Sequence, residues 1–384
     1  MDPKPQSRRS MDSKVYRVSD GRVLSMSDLL KYFSHAGTLR VSDLHLKVGC
    51  PPTYRLDGLL QPMKGPPLDE ATTAALLETL LCPAELEQLK TRRSLDGSVF
   101  AEGLQFRLNC FFDMDGPAIA VRALDAKAPR VEGVGFPNDV WRDIVARQHG
   151  LVLVTGITGA GKSTTIAALI AHIARTRPCR IITLEDPIEY RLTSERAMIS
   201  QREVGRDVPD FARGLRDCLR EDPDVIFVGE MRDLESATWT LTAAETGHLV
   251  FSTLHTRDAR GAVTRLLDMF PPSRQDEVAS QLSLGLAYVI AQKLIPRADG
   301  AGRVAAMEIM NNTPAVANII RTQKVEQLYT QLQTRCKDIP SERMVTMERS
   351  LALLVAAETV TEDEARRWAH DIATFEDELA RTQA

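Results

Sequence analysis

Cysteine is scarce and scattered in this chain. There are six, at Cys50, Cys82, Cys110, Cys179, Cys218 and Cys336, and none forms a CxxC pair. That excludes a paired-cysteine zinc site and a disulfide framework, and it fits reduced, buried thiols in a cytosolic protein. Long apolar runs are missing as well. No stretch approaches the roughly 18 residues of a membrane span. Residues 1–20 are polar, include Arg8 and Arg9, and hold no apolar signal core. Net charge is small: the formal balance of -4 provides no general basic coat, so no nucleic-acid partner is expected. No internal repeat or low-complexity segment stands out.

What is present is a chain of 384 residues, long enough for two or three domains. Residues 1–25 read as a disordered leader. Residues 26–124 read as a mixed α/β unit with a helix from Asp28, an alternating strand over Ser42–Val48, a hairpin turning at Asp57-Gly58 and strands flanking Asp96-Gly97. Residues 125–138, rich in proline, glycine and charge, read as a linker. From Asp139 the texture becomes strand–helix alternation. Strands are expected at Leu151–Thr155, Arg180–Leu184, Val225–Val228 and Leu249–Thr253, with helices at Ser163–Thr176, Asp210–Leu219 and Leu234–Thr246. Such βα repeats predict a mostly parallel sheet with ligands at the carboxyl ends of its strands. From about Pro272 the chain reads as mainly helical.

The strongest local signal is Gly156-Ile157-Thr158-Gly159-Ala160-Gly161-Lys162-Ser163-Thr164. It fits the phosphate-loop pattern GxxxxGK[ST] and lies between an apolar strand and an Ala- and Ile-rich helix. In that setting backbone N–H groups surround phosphate oxygens. Lys162 reaches the β- and γ-phosphates of a nucleotide, and the Ser163 hydroxyl can ligate Mg²⁺.

Four further clusters follow at strand ends. Leu184-Glu185-Asp186-Pro187-Ile188-Glu189-Tyr190 sets three carboxylates just past a strand, although such a cluster alone is by default a solvated acidic turn. Val225-Ile226-Phe227-Val228-Gly229-Glu230 has the Walker B pattern, an apolar strand ending in an acid that holds a Mg²⁺ water. His248 opens the next strand and His255 closes it. A histidine at a strand's carboxyl end can hydrogen-bond a phosphate oxygen; the default for an isolated histidine is a satisfied structural role, and no third ligand has metal-site spacing. Arg213, Arg216 and Arg220 share a helix face, by default solvated, otherwise aimed at a neighbouring subunit's nucleotide.

On these residues the chain resembles the secretion-superfamily ATPases, and within them the type IV pilus retraction (PilT-like) ATPases. Further marks are Ser42-Asp43-Leu44-His45-Leu46, Gln201-Arg202-Glu203-Val204, Leu219-Arg220-Glu221-Asp222-Pro223-Asp224 and Met231-Arg232-Asp233. The resemblance runs from about Leu29 into the C-terminal region. It implies an α/β fold: a PAS-like N-terminal domain (26–124), a linker (125–138) and a RecA-like P-loop ATPase domain (139–384). It also implies a homo-hexamer at the cytoplasmic face of the inner membrane, with ATP and Mg²⁺ between the domains at subunit contacts. A PilC-like platform protein is the implied partner, and a paralogous retraction ATPase is a further one. By position, Glu189 looks like the carboxylate that polarises the attacking water and Glu230 like the acid acting through Mg²⁺, roles that could be swapped. His248 and His255 match the His box. Arg107, Arg122 and Arg265 are further candidates for nucleotide or inter-subunit contacts, beside Arg216 and Arg220.

The expected function is therefore ATP hydrolysis that powers pilus retraction and twitching motility. Extension and type II secretion ATPases share the core but usually add an N-terminal domain and a four-cysteine zinc motif, neither of which is expected here. The retraction signature Ala-Ile-Arg-Asn-Leu-Ile-Arg-Glu reads here Ala315-Val316-Ala317-Asn318-Ile319-Ile320-Arg321-Thr322. Ala317 lacks the arginine and Thr322 the glutamate. That departure, with Glu203-Val204-Gly205-Arg206-Asp207 and an acidic tail, is similar to the accessory, PilU-like branch, whose members would act with an active paralogue.

Overall fold

Leu151, Val152, Leu153 and Val154 are all fully buried, yet alternate residues serve different cores. Leu151 and Leu153 join one apolar cluster, Val152 and Val154 another. Successive side chains of a strand point to opposite faces, so a strand covered on both sides needs an unbroken apolar run. The computed structural model describes residues 9–19, 21–35, 41–56, 58–124 and 127–383. The chain divides into two compact units, residues 1–127 with 187–191, and residues 128–186 with 192–384.

The first unit opens with β1 (Lys14–Arg17), β2 (Val23–Ser25) and α1 (Met26–His35). There follow β3 (Val41–Lys47), β4 (Thr53–Leu56), β5 (Leu59–Pro62), α2 (Glu70–Leu80) and α3 (Pro83–Arg92). The unit's last strands are β6 (Ser94–Ala101), β7 (Leu104–Asp113) and β8 (Gly116–Leu124). The last six strands form an antiparallel sheet in the order β5-β4-β3-β8-β7-β6. Leu44, Leu46, Phe106, Leu108 and Val121 pack with Leu29, Leu30 and Leu76 to make its core.

Two expectations change here. The supposed leader contains a hairpin, β1 with β2, pinned because Tyr16 and Val18 are buried in the core; residues 1–8 and 20 lie outside the described residues. Asp96-Gly97 sits inside β6, and the chain turns instead at Glu102 and Gly103, both at positive φ. Asp57 lies outside the described residues, while Leu56 pairs with Leu59 across the expected hairpin.

The second unit begins with a 3-10 turn at Val131–Gly133 and α4 (Val140–Ala146). Val131 is buried among the residues of α4, so this part of the expected linker is packed; residues 125 and 126 lie outside the described residues. Next come β9 (Gly150–Thr155), α5 (Lys162–Thr176), β10 (Arg180–Glu185), β11 (Met198–Glu203) and α6 (Phe211–Cys218). Then follow β12 (Val225–Val228), α7 (Leu234–Glu245), β13 (Leu249–Leu254), α8 (Ala259–Asp268) and α9 (Pro272–Gly285). The remainder is β14 (Leu286–Pro296), β15 (Arg303–Asn311), α10 (Pro314–Arg321), α11 (Leu328–Asp338), α12 (Met347–Ala356), α13 (Glu362–Trp368) and α14 (Ile372–Gln383).

Seven strands form one sheet in the order β11-β10-β12-β13-β9-β14-β15, parallel except that β15 runs antiparallel to β14. Helices α4 and α5 cover one face, α6 to α9 the other. The region after Pro272 is mainly helical, as expected, but it also supplies two unexpected strands of the sheet, β14 and β15. A short apolar run does not by itself distinguish a buried strand from a buried helix, and Leu286–Ile295 follows α9 with no turn residue between them. Among the described residues no helix is long and apolar enough to cross a membrane.

Candidate active site

Four parallel strands of the second unit end side by side. Leu254 is in register with Thr155, and Val228 with both Ser252 and Leu184. The segments leaving β9, β10, β12 and β13 therefore emerge on one edge of the sheet, where an open parallel sheet binds ligands. The ends are stitched together. Thr155 Oγ1 lies 2.7 Å from Thr256 Oγ1 and accepts from the Thr256 amide at 2.9 Å. The Gly229 amide donates to the Leu184 carbonyl at 2.8 Å.

The loop from Gly156 to Gly161 turns from β9 into α5 through glycines at φ 151, 79 and 86. A side chain at Gly156 would put its Cβ 2.5 Å from the Gln292 carbonyl oxygen; at Gly161 the Cβ would meet the Gln292 amide nitrogen at 2.8 Å. Gln292, buried on β14, holds the loop. Its Nε2 donates to the Ala160 carbonyl at 2.8 Å, and its Oε1 accepts from Thr165 Oγ1 at 2.7 Å. Sequence reasoning misses Gln292, because it lies in the segment read as helical and only strand pairing brings it to the loop.

Gly161 caps α5 in the left-handed conformation with no side-chain hydrogen bond to the first turn. The orphan amides of that turn, with the helix dipole, favour an anion there. Lys162, only 8% exposed, donates from Nζ to the carbonyls of Gly156 at 2.8 Å and Ile157 at 3.2 Å. Ser163 and Thr164 follow in the first turn, and Thr158 and Gly159 form the exposed tip of the loop.

On the same edge of the sheet, just past β12, Glu230 is held on both carboxylate oxygens. His255 Nε2 lies 3.3 Å from Oε1, and Arg232 Nε donates to Oε2 at 2.9 Å. Arg232 also reaches Asp186 at 3.3 Å. The hydrogen bond to Glu230 keeps its guanidinium still more firmly protonated. Arg232 lies within a quoted motif, but nothing in the spacing marks it as the bridge between two strand ends.

The other expected residues fall elsewhere. Of the three acids expected just past the strand, Glu185 is instead the last residue of β10, buried, and accepts from Thr183 Oγ1 and Gln201 Nε2. Glu189 lies in the 187–191 stretch that belongs with the first unit, where Gln105 Nε2 donates to the Ile188 carbonyl. His248 stands at the amino end of β13, its Nδ1 3.0 Å from the Ala243 carbonyl oxygen. The length of that strand, about 20 Å at the usual rise, separates it from His255.

The arginines differ too. Arg216 lies on α6 and Arg220 beyond its end, so they do not share a helical face as expected. Both are exposed, as is Arg265 on α8. In the first unit Arg122 donates to Asp43 at 2.7 Å, and Arg107 is paired directly opposite Arg122.

The cradle suits a nucleotide phosphate: the first turn of α5 has no side-chain cap, and the glycine loop ahead of it is packed so closely on Gln292 that a Cβ at Gly156 or Gly161 would not fit. The hydroxyl of Ser163 and the carboxylate of Glu230 are hard oxygen donors of the kind Mg²⁺ takes. Among the described residues no group of three or more His, Cys, Asp or Glu could hold a metal. A divalent ion here would need phosphate oxygens to complete its ligands.

Comparison with known proteins gives a consistent picture. The family model described as "Type II/IV secretion system protein" matches residues 21–375. The type IV pilus retractation ATPase PilT of Pseudomonas aeruginosa is 41% identical over 344 residues, 89% of this chain and 97% of that protein. A twitching motility protein of Neisseria gonorrhoeae is 38% identical over 88% of this chain and 91% of its own length. Among solved structures, the pilus retraction motor PilT with bound ADP matches at a TM-score of 0.82 and 39% identity, covering 92% of this chain and 99% of that one.

Proposed function

The chain belongs to the Type II/IV secretion system protein family, and from that membership we propose that it is the ATP-hydrolysing motor of type IV pilus retraction. Its relatives named for pilus retraction and twitching motility are alike over nearly their whole length, which supports this reading over pilus extension or type II secretion. We place it as a homo-hexamer at the cytoplasmic face of the inner membrane, acting on a PilC-like platform protein.

The observation that carries the reading is the strand-end cradle. The Gly156–Thr164 loop takes the phosphates on its amides, and Lys162 exchanges the carbonyls of Gly156 and Ile157 for terminal phosphate oxygens. Ser163 and Glu230, the latter through water, would hold Mg²⁺, which neutralises developing phosphate charge. Glu230 keeps its direction because His255 and Arg232 hold its two oxygens. Glu189 is assigned as the acid that polarises water. His248, at the far end of β13, acts only through its strand. Arg216, Arg220 and Arg265, with Arg107, are the arginines assigned to a neighbouring subunit's nucleotide; Arg122 is engaged by Asp43.

A second reading has one observation in its favour. Helix α10 carries Ala317 and is followed by Thr322, where the retraction signature has arginine and glutamate. An accessory ring component working with an active paralogue would tolerate that change. Steady-state ATP hydrolysis by the purified chain separates the two, with Lys162→Ala as the blank. Deletion of the gene tests the pilus role: excess surface pili with lost motility fit retraction, whereas absent pili would overturn it.

A further inference from the structure

Away from the strand-end cradle, the second unit contains a cavity of about 260 Å³ bounded by the start of α8, β15, α11 and the residues before α14. Its floor is apolar: Ala259, Met310, Leu328 and Leu332 are each at most 2% exposed. Glu308 lines this floor and is 1% exposed. Its Oε1 accepts from the Ala259 amide at 2.7 Å, while its Oε2 is buried and has no hydrogen-bond partner. Such an oxygen is costly to leave unmatched.

The carboxylates around it are already engaged. Glu348 accepts from the Tyr329 hydroxyl at 3.1 Å and from the amides of His370 at 2.9 Å and Asp371 at 3.3 Å. Asp258 accepts from the Gly261 amide, and Asp371 from that of Thr374. Nearby Lys293 donates to the Trp368 carbonyl at 2.7 Å. Burial above all, with Asp258 and Glu348 adding to it and Lys293 opposing, pushes the Glu308 carboxyl up to about 7.

An occupant must therefore bring a donor to Glu308 Oε2 and apolar surface to the floor. Of the charged groups lining the cavity, Asp258, Glu308 and Asp371 outnumber the one cation, Arg260, with His370 beside them, so an anion would meet an acidic wall. One water would satisfy the oxygen, but at about 30 Å³ each it would leave most of the space over apolar side chains. We propose that the cavity binds a small aliphatic amine, its ammonium group donating to Glu308 Oε2 and its methylenes lying on Met310, Leu328 and Leu332.

Calorimetry on the full chain with n-butylammonium as the probe tests this, with n-butanol as the neutral isostere. Near neutral pH, binding should release protons as Glu308 ionises, seen as a dependence of the heat on the buffer's ionisation enthalpy. Glu308→Gln keeps an oxygen for the Ala259 amide, yet should weaken binding by at least about tenfold and abolish the proton release. Leu332→Phe, which fills the floor and leaves Glu308 in place, should remove binding. Absence of binding to the unmodified chain, equal affinity for butanol, or unchanged affinity in Glu308→Gln would each overturn the proposal. None of these readouts depends on ATP hydrolysis.

Discussion

The Nε2 of His255 lies 3.3 Å from Oε1 of Glu230, so the end of β13 steers the acid that follows β12. Arg232 holds the other oxygen. Removing a group that orients a metal-linked carboxylate costs roughly 10–100-fold in activity. His255→Ala should therefore lower the kcat of ATP hydrolysis by about that factor. ATP affinity should change little, because Lys162 and the loop are untouched. Paired measurements of nucleotide binding and steady-state hydrolysis check this, and a loss confined to affinity would contradict the orienting role.

Lys162 carries the only side-chain charge in the phosphate loop, and its ammonium rests on the carbonyls of Gly156 and Ile157. Lys162→Ala should cut hydrolysis by on the order of a hundredfold or more, the scale seen when one donor to developing charge is lost. An unchanged circular dichroism spectrum would show that the fold survives. Gly156→Ala acts differently, since φ 151 and a Cβ 2.5 Å from the Gln292 carbonyl oxygen force the loop to move. Thermal unfolding should show a loss of about 1–3 kcal/mol.

How much of this is legible in the sequence depends on how few alternatives each stretch allows. The loop at Gly156–Thr164 is legible because its spacing serves one backbone shape, and β9, β12 and β13 because short, mostly apolar runs between helices fit buried parallel strands. β14 is not legible, since its apolar run satisfies a buried helix equally well. Gln292 is lost with it: a polar residue in such a run acquires meaning only when the strand lands beside the loop. The hairpin containing Tyr16 is hidden in a polar segment whose single buried aromatic anchors it. For the two histidines, sequence identifies both ends of the strand, but only the parallel sheet shows that His255 alone meets Glu230.

Gln292→Ala tests the support of the loop apart from its chemistry. The substitution leaves the Ala160 carbonyl and the Thr165 hydroxyl without the partners they have at 2.8 Å and 2.7 Å. Leaving buried polar groups unmatched costs about 1–3 kcal/mol, so the midpoint of thermal unfolding should fall. The loop loses its brace, so the affinity for ATP should weaken too. Saturating ATP should recover part of the lost stability by mass action. If ATP affinity is unchanged in this variant, Gln292 does not pre-organise the loop.

The first unit offers a test by pH. Asp43 is buried on β3 and accepts from Ser42 Oγ and Arg122 Nε, each at 2.7 Å. Burial alone would raise its pKa, but the two hydrogen bonds and the Arg122 charge outweigh burial and hold it below its ordinary value of 3.8. As pH falls, the unfolded chain therefore takes up this proton before the folded one does. The stabilisation is complete above the ordinary carboxylate range and is lost as pH drops through the folded-state pKa. Arg122→Ala should cost about 1–3 kcal/mol at neutral pH, the scale for stranding a buried hydrogen-bonded group. The gap between the variant and the parent should narrow in acid, because protonated Asp43 no longer needs the guanidinium. Denaturant melts of both chains at neutral and acidic pH measure that gap; if it stays constant, the Asp43–Arg122 contact is not the source of the shift.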